Sequence, residues 1–202
     1  TSTLNSARSS IVVQSVYSYL FMYSMMIIPI ITMRSMTEDK KARTDQLLLT
    51  SPVSVGGIVT GKFLAAFMVY LIASTLGLLP AVALTFFSGP PWGVIIGNYV
   101  GALLYGGAMI SIGIFISSFT QSQIISAISS FAVSLLIVFS ESFVATITNE
   151  IIKKAPSWTS FFSRYQTFTQ GLLNISNIFF FLGIICHFVF LTARKLESPR
   201  WS

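Results

Sequence analysis

The residues whose spacing comes closest to a chemical motif are Gly56, Gly61 and Lys62, in the stretch GGIVTGKF. A phosphate-binding loop reads G-x-x-x-x-G-K-[ST], where backbone N–H groups and the lysine hold phosphates and the last hydroxyl binds Mg²⁺. Phe63 stands at that last position and has no hydroxyl. The motif also belongs between a strand and a helix, whereas this stretch opens a long apolar segment. We therefore predict that this chain binds no ATP or Mg²⁺, and that Lys62 extends its amine to the membrane surface.

No other catalytic or metal-binding arrangement is present in the sequence. The patterns H-E-x-x-H and G-x-S-x-G are absent, and no acids are paired within an apolar segment. Cys186 and His187 are the only cysteine and histidine, too few for a metal site built from those ligands. We expect a protein that is not an enzyme and holds no cofactor or metal of its own.

Charged residues are concentrated between Arg34 and Lys62, a segment that we call the charged island. Only 9% of the chain is charged and its mean hydropathy is +0.79, whereas about a quarter of a soluble domain is charged. Residues 63–140 contain no Asp, Glu, Lys or Arg. Because a charge at the bilayer centre costs about 2.5–3.5 kcal/mol, the sequence predicts a membrane protein embedded in the lipid bilayer. The net charge of +6 does not indicate nucleic-acid binding, since the basic residues lie at the ends of apolar segments.

Five apolar segments are long enough, or nearly so, to cross a bilayer as helices, which takes about 20 residues. We predict an all-α protein with a single transmembrane domain over residues 1–202 and with spans at about 11–33, 55–87, 93–116, 124–140 and 175–192. The turn Ser88-Gly89-Pro90-Pro91 is expected to end the second span.

The basic residues predict the orientation of these spans, because cytoplasmic loops carry an excess of Lys and Arg. One side would hold eight basic residues, from the island and the C-terminal tail, and the other side four. We therefore expect a multi-pass protein of the cell's inner (cytoplasmic) membrane, with residues 34–62 and the C-terminus cytoplasmic. The N-terminus would then lie outside, which leads us to expect one more span upstream of Thr1 and six in total.

The island has the pattern of a short helix of its own, over about residues 36–50. Ser35 and Glu38 have the spacing of a capping box, Pro52 is expected to end the helix, and Ser54 can cap the second span. Asp39 and Arg43 are expected to pair on this helix, and its last turn carries three leucines, Leu47 to Leu49. One interpretation is a solvated loop whose leucines rest on the bilayer surface. The other is a helix that docks on a soluble cytoplasmic protein.

Two further patterns concern packing and the outer side. Gly93, Gly97 and Gly101 lie four residues apart, a spacing that lets helices approach closely within one subunit or between subunits. The segment 141–171 is expected outside, with aromatic residues at helical spacing, Trp158, Phe161, Phe162, Tyr165 and Phe168. Pro156 and Ser157 are expected to start that helix and Gly171 to end it. Its rings would either close the outer end of a pathway or form an aromatic belt that anchors the domain.

The order of these features resembles the permeases of ABC-2 type transporters, and especially their gliding-motility-type branch. The matching residues are Thr32-Met33-Arg34, Glu38-Asp39-Lys40-Lys41, Leu48-Leu49-Thr50-Ser51-Pro52-Val53, Gly61-Lys62 and the tail Leu196-Glu197-Ser198-Pro199-Arg200-Trp201. The resemblance implies that the island is a coupling helix that docks on a separate ATP-binding cassette subunit, where ATP and Mg²⁺ are bound. The contacts implied are Glu38, Asp39, Lys41, Arg43, Thr44, Gln46, Leu47, Leu48 and Leu49.

The resemblance also implies a second permease chain, identical or similar, and a re-entrant helical hairpin at the outer segment. This sequence departs from the family at Gln46, where a glutamate is usual, and it lacks the family's first span and the amphipathic helix before it.

We therefore expect the permease subunit of an ATP-driven transporter, working as an exporter. One alternative is a channel or a carrier not driven by ATP, which should show intramembrane acids or broken helix pairs. Another is a membrane anchor for a larger envelope or motility complex.

Overall fold

The chain folds into α-helices, and a computed structural model describes residues 2–42, 54–79, 83, 92–145 and 161–197. No strand occurs in these residues, so the all-helical prediction is confirmed. The helices in the described ranges are α1 (Ser2–Lys41), α2 (Val55–Leu76), α3 (Trp92–Ser117), α4 (Gln123–Ala145), α5 (Phe161–Thr169) and α6 (Ile175–Glu197).

Four of these helices are long and apolar enough to cross a membrane: residues Ser15–Lys41 of α1, and the whole of α2, α3 and α6. In α4 the apolar part is shorter, Gln123–Phe139. The predicted spans 93–116, 124–140 and 175–192 lie within α3, α4 and α6, and the last two helices continue beyond them. The chain therefore has the helices of a multi-pass membrane protein.

Helix α1 continues through the place where the sequence predicted a new helix to start. Ser35 is not a cap, because residues 2–41 form a single helix that includes Pro29. The Thr37 hydroxyl donates back to the Met33 carbonyl, and Met36 and Thr37 are buried against the bundle. Burial of these side chains favours continuation over the local capping signal, since tertiary packing supplies most helix stability in proteins. The remainder of the predicted island helix, residues 43–50, lies outside the described residues.

Helix α2 starts where predicted, and its continuous part ends at Leu76. The Ser54 hydroxyl accepts a hydrogen bond from the Gly57 N–H at 3.2 Å, which is the predicted N-cap. A turn at Gly77 and Leu78 follows Leu76, whereas Leu79 and Ala83 are again helical, and the predicted end of the span at about 87 lies outside the described residues. Pro80 explains the end at Leu76, because a proline has no N–H for the carbonyl four residues earlier and its ring clashes with it. Residues 80–82 and 84–91 are outside the described ranges.

Helix α3 lies at the centre of the bundle and contacts each of the other five described helices. Its side chains form much of the core, including Tyr105, Ala108, Ile110 and Ile114. The surrounding helices expose large apolar side chains, such as Met22 of α1 and Phe179 of α6. A buried centre with an apolar exterior is the distribution expected of a bundle in lipid.

The bundle has two ends of different composition. At one end, which we call the charged end, the C-terminal turns of α1, α3 and α6 meet the first turns of α2 and α4. At the other end, which we call the aromatic end, α5 packs against α1 and α3 and contacts the start of α6. The helices thus alternate in direction, as a chain that crosses a membrane repeatedly must do.

Candidate functional site

Three consecutive residues at the end of α1 contact three different helices. Glu38 Oε1 accepts a hydrogen bond from Gln123 Nε2 of α4 at 3.2 Å. Asp39 forms an ion pair with Lys62 of α2, and the Lys40 amine donates to the Ser118 carbonyl after α3. Successive helical residues point about 100° apart, so one turn of α1 can contact neighbours on several sides. The last turn of α1 therefore connects the starts of α2 and α4 to the end of α3.

The ion pair between Lys62 and Asp39 is partly buried, with 25% of each side chain exposed. The Lys62 amine also donates to the Ser35 carbonyl. The sequence predicted that this amine would extend to the membrane surface. It also placed Asp39 four residues before Arg43, which lies outside the described residues. Lys62 and Asp39 pair with each other because the first turns of α2 lie beside the last turns of α1.

The stretch that resembles a phosphate-binding loop is part of helix α2. Residues 56–63 are helical, and Lys62 is engaged by Asp39 and the Ser35 carbonyl. A phosphate-binding loop presents its backbone N–H groups to the phosphates, whereas within a helix most of these groups bond to carbonyls. Most residues of the motif are therefore present, but they do not form the loop conformation that binds phosphate.

The contact of Lys40 with Ser118 lies where α3 ends. The last carbonyls of a helix lack helical partners and carry partial negative charge, so an amine placed there satisfies one of them and interacts favourably with the helix dipole. Close by, the Lys195 amine of α6 lies 5.1 Å from the centre of the Phe119 ring. Two cations, from α1 and from α6, thus stabilise the short connection between α3 and α4.

Only part of the predicted partner-binding surface falls in the described residues. Glu38 and Lys41 are exposed, and Asp39 is turned towards Lys62. The other predicted contacts lie outside the described ranges, namely Arg43, Thr44, Gln46, Leu47, Leu48 and Leu49.

Sequence reasoning missed the internal contacts of the island with Ser118 and Gln123. A signal for them existed, because the polar link between the third and fourth spans must lie on the same side of the membrane as the island.

A cleft of about 340 Å³ opens between the last turns of α1 and the first turns of α2. Its lining is polar towards the charged end and apolar towards the middle of the bundle, formed by Ile31, Arg34, Ser35, Glu38, Asp39, Lys62, Ala65, Ala66 and Val69.

At the aromatic end, α5 buries two of the predicted aromatic residues in the bundle. Tyr165 is 2% exposed and Phe168 is fully buried. The Tyr165 ring stacks on Phe21 with ring centres 4.7 Å apart, and its hydroxyl donates to the Tyr17 carbonyl at 3.2 Å. Phe161 is partly buried and its ring lies 5.7 Å from Phe181. These rings face the core and not the exterior where an anchoring belt would lie. Trp158 lies outside the described residues, and Phe162 is described only as helical.

Two glycines of α3 allow α5 to lie this close. A Cβ added at Gly101 would lie 2.6 Å from the Phe168 Cβ, and one at Gly97 would lie 2.8 Å from the Phe168 carbonyl oxygen. At the end of α5, Gly171 has φ +79, a left-handed conformation that glycine adopts without strain. A Cβ at Gly171 would lie 3.1 Å from the carbonyl carbon of Gly93. The glycine repeat of α3 therefore packs within this chain, against α5 and the turn after it.

Polar groups also connect α5 to α6. Arg164 donates to Asn177 Oδ1 at 2.8 Å, and its guanidinium lies 4.3 Å from the centre of the Phe180 ring. Asn98 of α3 donates to the Thr169 carbonyl at 3.1 Å. Burial raises the pKa of the Tyr165 phenol above its ordinary value of 10.0, with smaller contributions from Tyr70 and Tyr17. Helix α5 is thus fixed by buried rings, close backbone packing and hydrogen bonds.

The intramembrane serines mostly bond to their own helices. The hydroxyls of Ser111, Ser117 and Ser134 each donate to a carbonyl three or four residues earlier, a common arrangement in membrane helices. In the described part of the chain, the hydroxyls of Ser126 and Ser130 are buried without a hydrogen-bond partner. The hydrogen bonds of these serines therefore give no evidence of a polar pathway for a substrate.

The comparisons with known proteins bear on the whole chain. Residues 1–193 match the family described as ABC-2 family transporter protein. No curated protein matches the chain. The match covers the charged end, the central helix α3, α5 and most of α6. Together with the helices long enough to cross a membrane, it establishes that this chain belongs to the ABC-2 family of transporter membrane proteins.

Proposed function

We propose that this chain is the permease subunit of an ATP-driven exporter and that a separate cytoplasmic subunit binds and hydrolyses ATP. Family membership supports the role in transport. The part of the chain that resembles a phosphate-binding loop is helical and lacks the hydroxyl residue that the motif requires. A second permease chain would complete the transporter. From the residue motifs of the island and of the tail, we further propose that the chain belongs to the gliding-motility-type branch.

The observation that carries this proposal is the set of contacts made by Glu38, Asp39 and Lys40. The island continues directly from these residues, so a displacement of residues 43–50 by a partner would act first on the last turn of α1. From there the contacts with Lys62, Ser118 and Gln123 lead to three more helices. Because α1 is a single helix without a joint at Ser35, the same displacement would also move α1 itself.

The aromatic end supports the outer part of the same proposal. In the proposed orientation, α5 lies at the outer end of the bundle and closes it with Tyr165 and Phe168, both buried. Export would then require α5 to move relative to α3 when the charged end is displaced.

The test is co-purification of the full chain from its native membrane in detergent. We expect wild type to retain a soluble protein that carries a complete phosphate-binding loop and hydrolyses ATP. The variant L47S/L48S/L49S should lose it, because the predicted docking surface depends on these leucines. The matched control is L172S/L173S, which changes two leucines, 59% and 50% exposed, that follow α5 at the aromatic end.

The control should retain the ATPase. An ATPase that stays on the triple variant, or a wild-type chain that binds none, would refute the proposal and favour a structural membrane anchor.

A further inference from the structure

The cleft between α1 and α2 has two halves with different chemistry. Towards the charged end it is lined by Arg34, Ser35, Glu38, Asp39 and Lys62, and towards the middle of the bundle by Ile31, Ala65, Ala66 and Val69. We propose that this cleft binds one phospholipid with a zwitterionic headgroup carrying a primary ammonium, as in phosphatidylethanolamine. The inference does not depend on the proposed function.

The apolar half of the cleft continues into surface that lies against lipid acyl chains. Val69 is 53% exposed, and the neighbouring turns expose Ile27, Ile30 and Met68. An acyl chain can therefore run from the cleft along α1 and α2 without meeting a charge. A soluble polar ligand would match only the charged half of the cleft. The polar half lies where the apolar span ends, which is the level of lipid headgroups.

The four charged residues of the cleft divide into an inner and an outer pair. Lys62 and Asp39 form the inner pair, each with 25% of its side chain exposed. Arg34 and Glu38 form the outer pair, with 66% and 54% exposed, and Arg34 Nε lies 3.7 Å from Glu38 Oε1. That separation is longer than a hydrogen bond, so the Arg34 guanidinium remains available to a ligand. Glu38 Oε1 also accepts from Gln123 Nε2 at 3.2 Å, so the second carboxylate oxygen of Glu38, Oε2, is the one that a ligand would contact.

The outer pair matches the two charges of an ethanolamine headgroup. An arginine guanidinium binds a phosphate through two parallel N–H···O bonds, and the Glu38 carboxylate accepts hydrogen bonds from an ammonium. Arg34 and Glu38 lie on adjacent turns of α1, so their charges are a short distance apart. The phosphate and the ammonium of ethanolamine are likewise separated by a short linker. Since the four lining charges sum to zero, the cleft has no net positive charge that would favour a lipid with net negative charge, and a lipid without an ammonium offers no cation to Glu38.

This charge pattern predicts an order among lipids. Phosphatidylethanolamine should bind best. Phosphatidylcholine should bind less well, because its quaternary ammonium cannot donate a hydrogen bond to Glu38. Phosphatidylglycerol should bind worst, because it has the phosphate but no cation. We expect roughly a tenfold ratio of dissociation constants between the first and the last, the size of a charge-assisted hydrogen bond.

The experiment is native mass spectrometry of the full chain, purified in detergent and titrated separately with each of the three lipids. The test variants are Arg34→Gln and Glu38→Gln. The matched control is Arg194→Gln, because Arg194 is also 68% exposed and lies 4.0 Å from a glutamate near its own helix end, on α6 and away from the cleft. Arg34→Gln should weaken phosphatidylethanolamine binding by about fivefold or more. Glu38→Gln should remove most of the preference for phosphatidylethanolamine over phosphatidylglycerol. Arg194→Gln should change neither the affinity for phosphatidylethanolamine nor this preference.

Two results would overturn the inference. The first is wild-type binding that does not distinguish the three lipids. The second is an equal loss of binding in Arg34→Gln and Arg194→Gln, which would indicate general attraction to the surface.

Discussion

The charged end and the aromatic end hold the same helices together by different means. At the charged end, partly exposed side chains bridge helices through ion pairs and hydrogen bonds, such as Lys62 with Asp39 and Gln123 with Glu38. At the aromatic end, fully buried rings and glycines bring α5 against α3. Contacts of the first kind contribute little stability each, whereas packed rings contribute much more. The difference indicates that the contacts at the charged end can rearrange at a low cost in free energy, whereas rearrangement of the aromatic end costs much more.

The largest effect should come from Phe168→Ala. Phe168 is fully buried between α3 and α6, with its ring 6.3 Å from the Phe181 ring, and removing a buried phenylalanine side chain costs about 3–5 kcal/mol. We expect a large fall in the thermal unfolding midpoint in detergent. The control Phe179→Ala, at a side chain that is 69% exposed, should change it little. Similar shifts for the two variants would mean that α5 is not packed as described.

A smaller loss is expected from Gly101→Ala. The new Cβ would lie 2.6 Å from the Phe168 Cβ, so α5 would have to move away, at a cost of about 1–3 kcal/mol as for other overpacked cores. Gly183→Ala is the control, because no atom lies within 4 Å of a Cβ at that position and alanine favours a helix over glycine. The same thermal assay should show destabilisation for Gly101→Ala only. Equal stability of both variants would contradict the close approach of α5 to α3.

Tyr165→Phe should have a moderate effect that depends on pH. Loss of the hydrogen bond to the Tyr17 carbonyl should cost about 0.5–1.5 kcal/mol near neutral pH. Burial raises the pKa of Tyr165 in the folded protein above its ordinary value of 10.0, so its ionisation favours the unfolded state. Below pH 10 wild type should therefore be more stable by a constant amount, and above pH 10 it should lose that advantage. Parallel pH profiles for the two proteins would show that Tyr165 is not buried.

The smallest effect is expected at the charged end, for the pair of Lys62 with Asp39. A double-mutant cycle with Lys62→Gln and Asp39→Asn should give a coupling energy below about 1 kcal/mol, because the pair is a quarter exposed and solvent screens it. Chemical unfolding in detergent measures each corner of the cycle. A coupling energy as large as the loss from Phe168→Ala would remove the contrast between the two ends.

The sequence predicted the features that depend on composition or on local spacing. The uncharged run of residues 63–140 indicated membrane helices, and α3 contains the predicted span 93–116. The aromatic spacing and Gly171 predicted a helix that ends where α5 does. The glycine spacing on α3 predicted a close approach but not its partner, since spacing on one helix does not specify which helix packs against it.

The predictions that failed depended on distant residues. The capping box at Ser35 is a sound local signal, but Met36 and Thr37 are buried against the bundle and α1 continues. Likewise, no local spacing indicated the ion pair of Asp39 with Lys62, 23 positions along the chain. Tertiary contacts of this kind do not follow from a periodic pattern, because they require the relative depth of two helices in the membrane.

The unbroken length of α1 has a mechanical consequence. A helix of 40 residues is about 60 Å long, roughly twice the hydrocarbon thickness of a bilayer. A rigid rod of that length converts a small rotation into a large displacement, and a tilt of only about 5° moves one tip by about 5 Å relative to the other. Work done on one face of the membrane would thus appear on the opposite face to the extent that the helix keeps its shape at Pro29, where one helical hydrogen bond is missing.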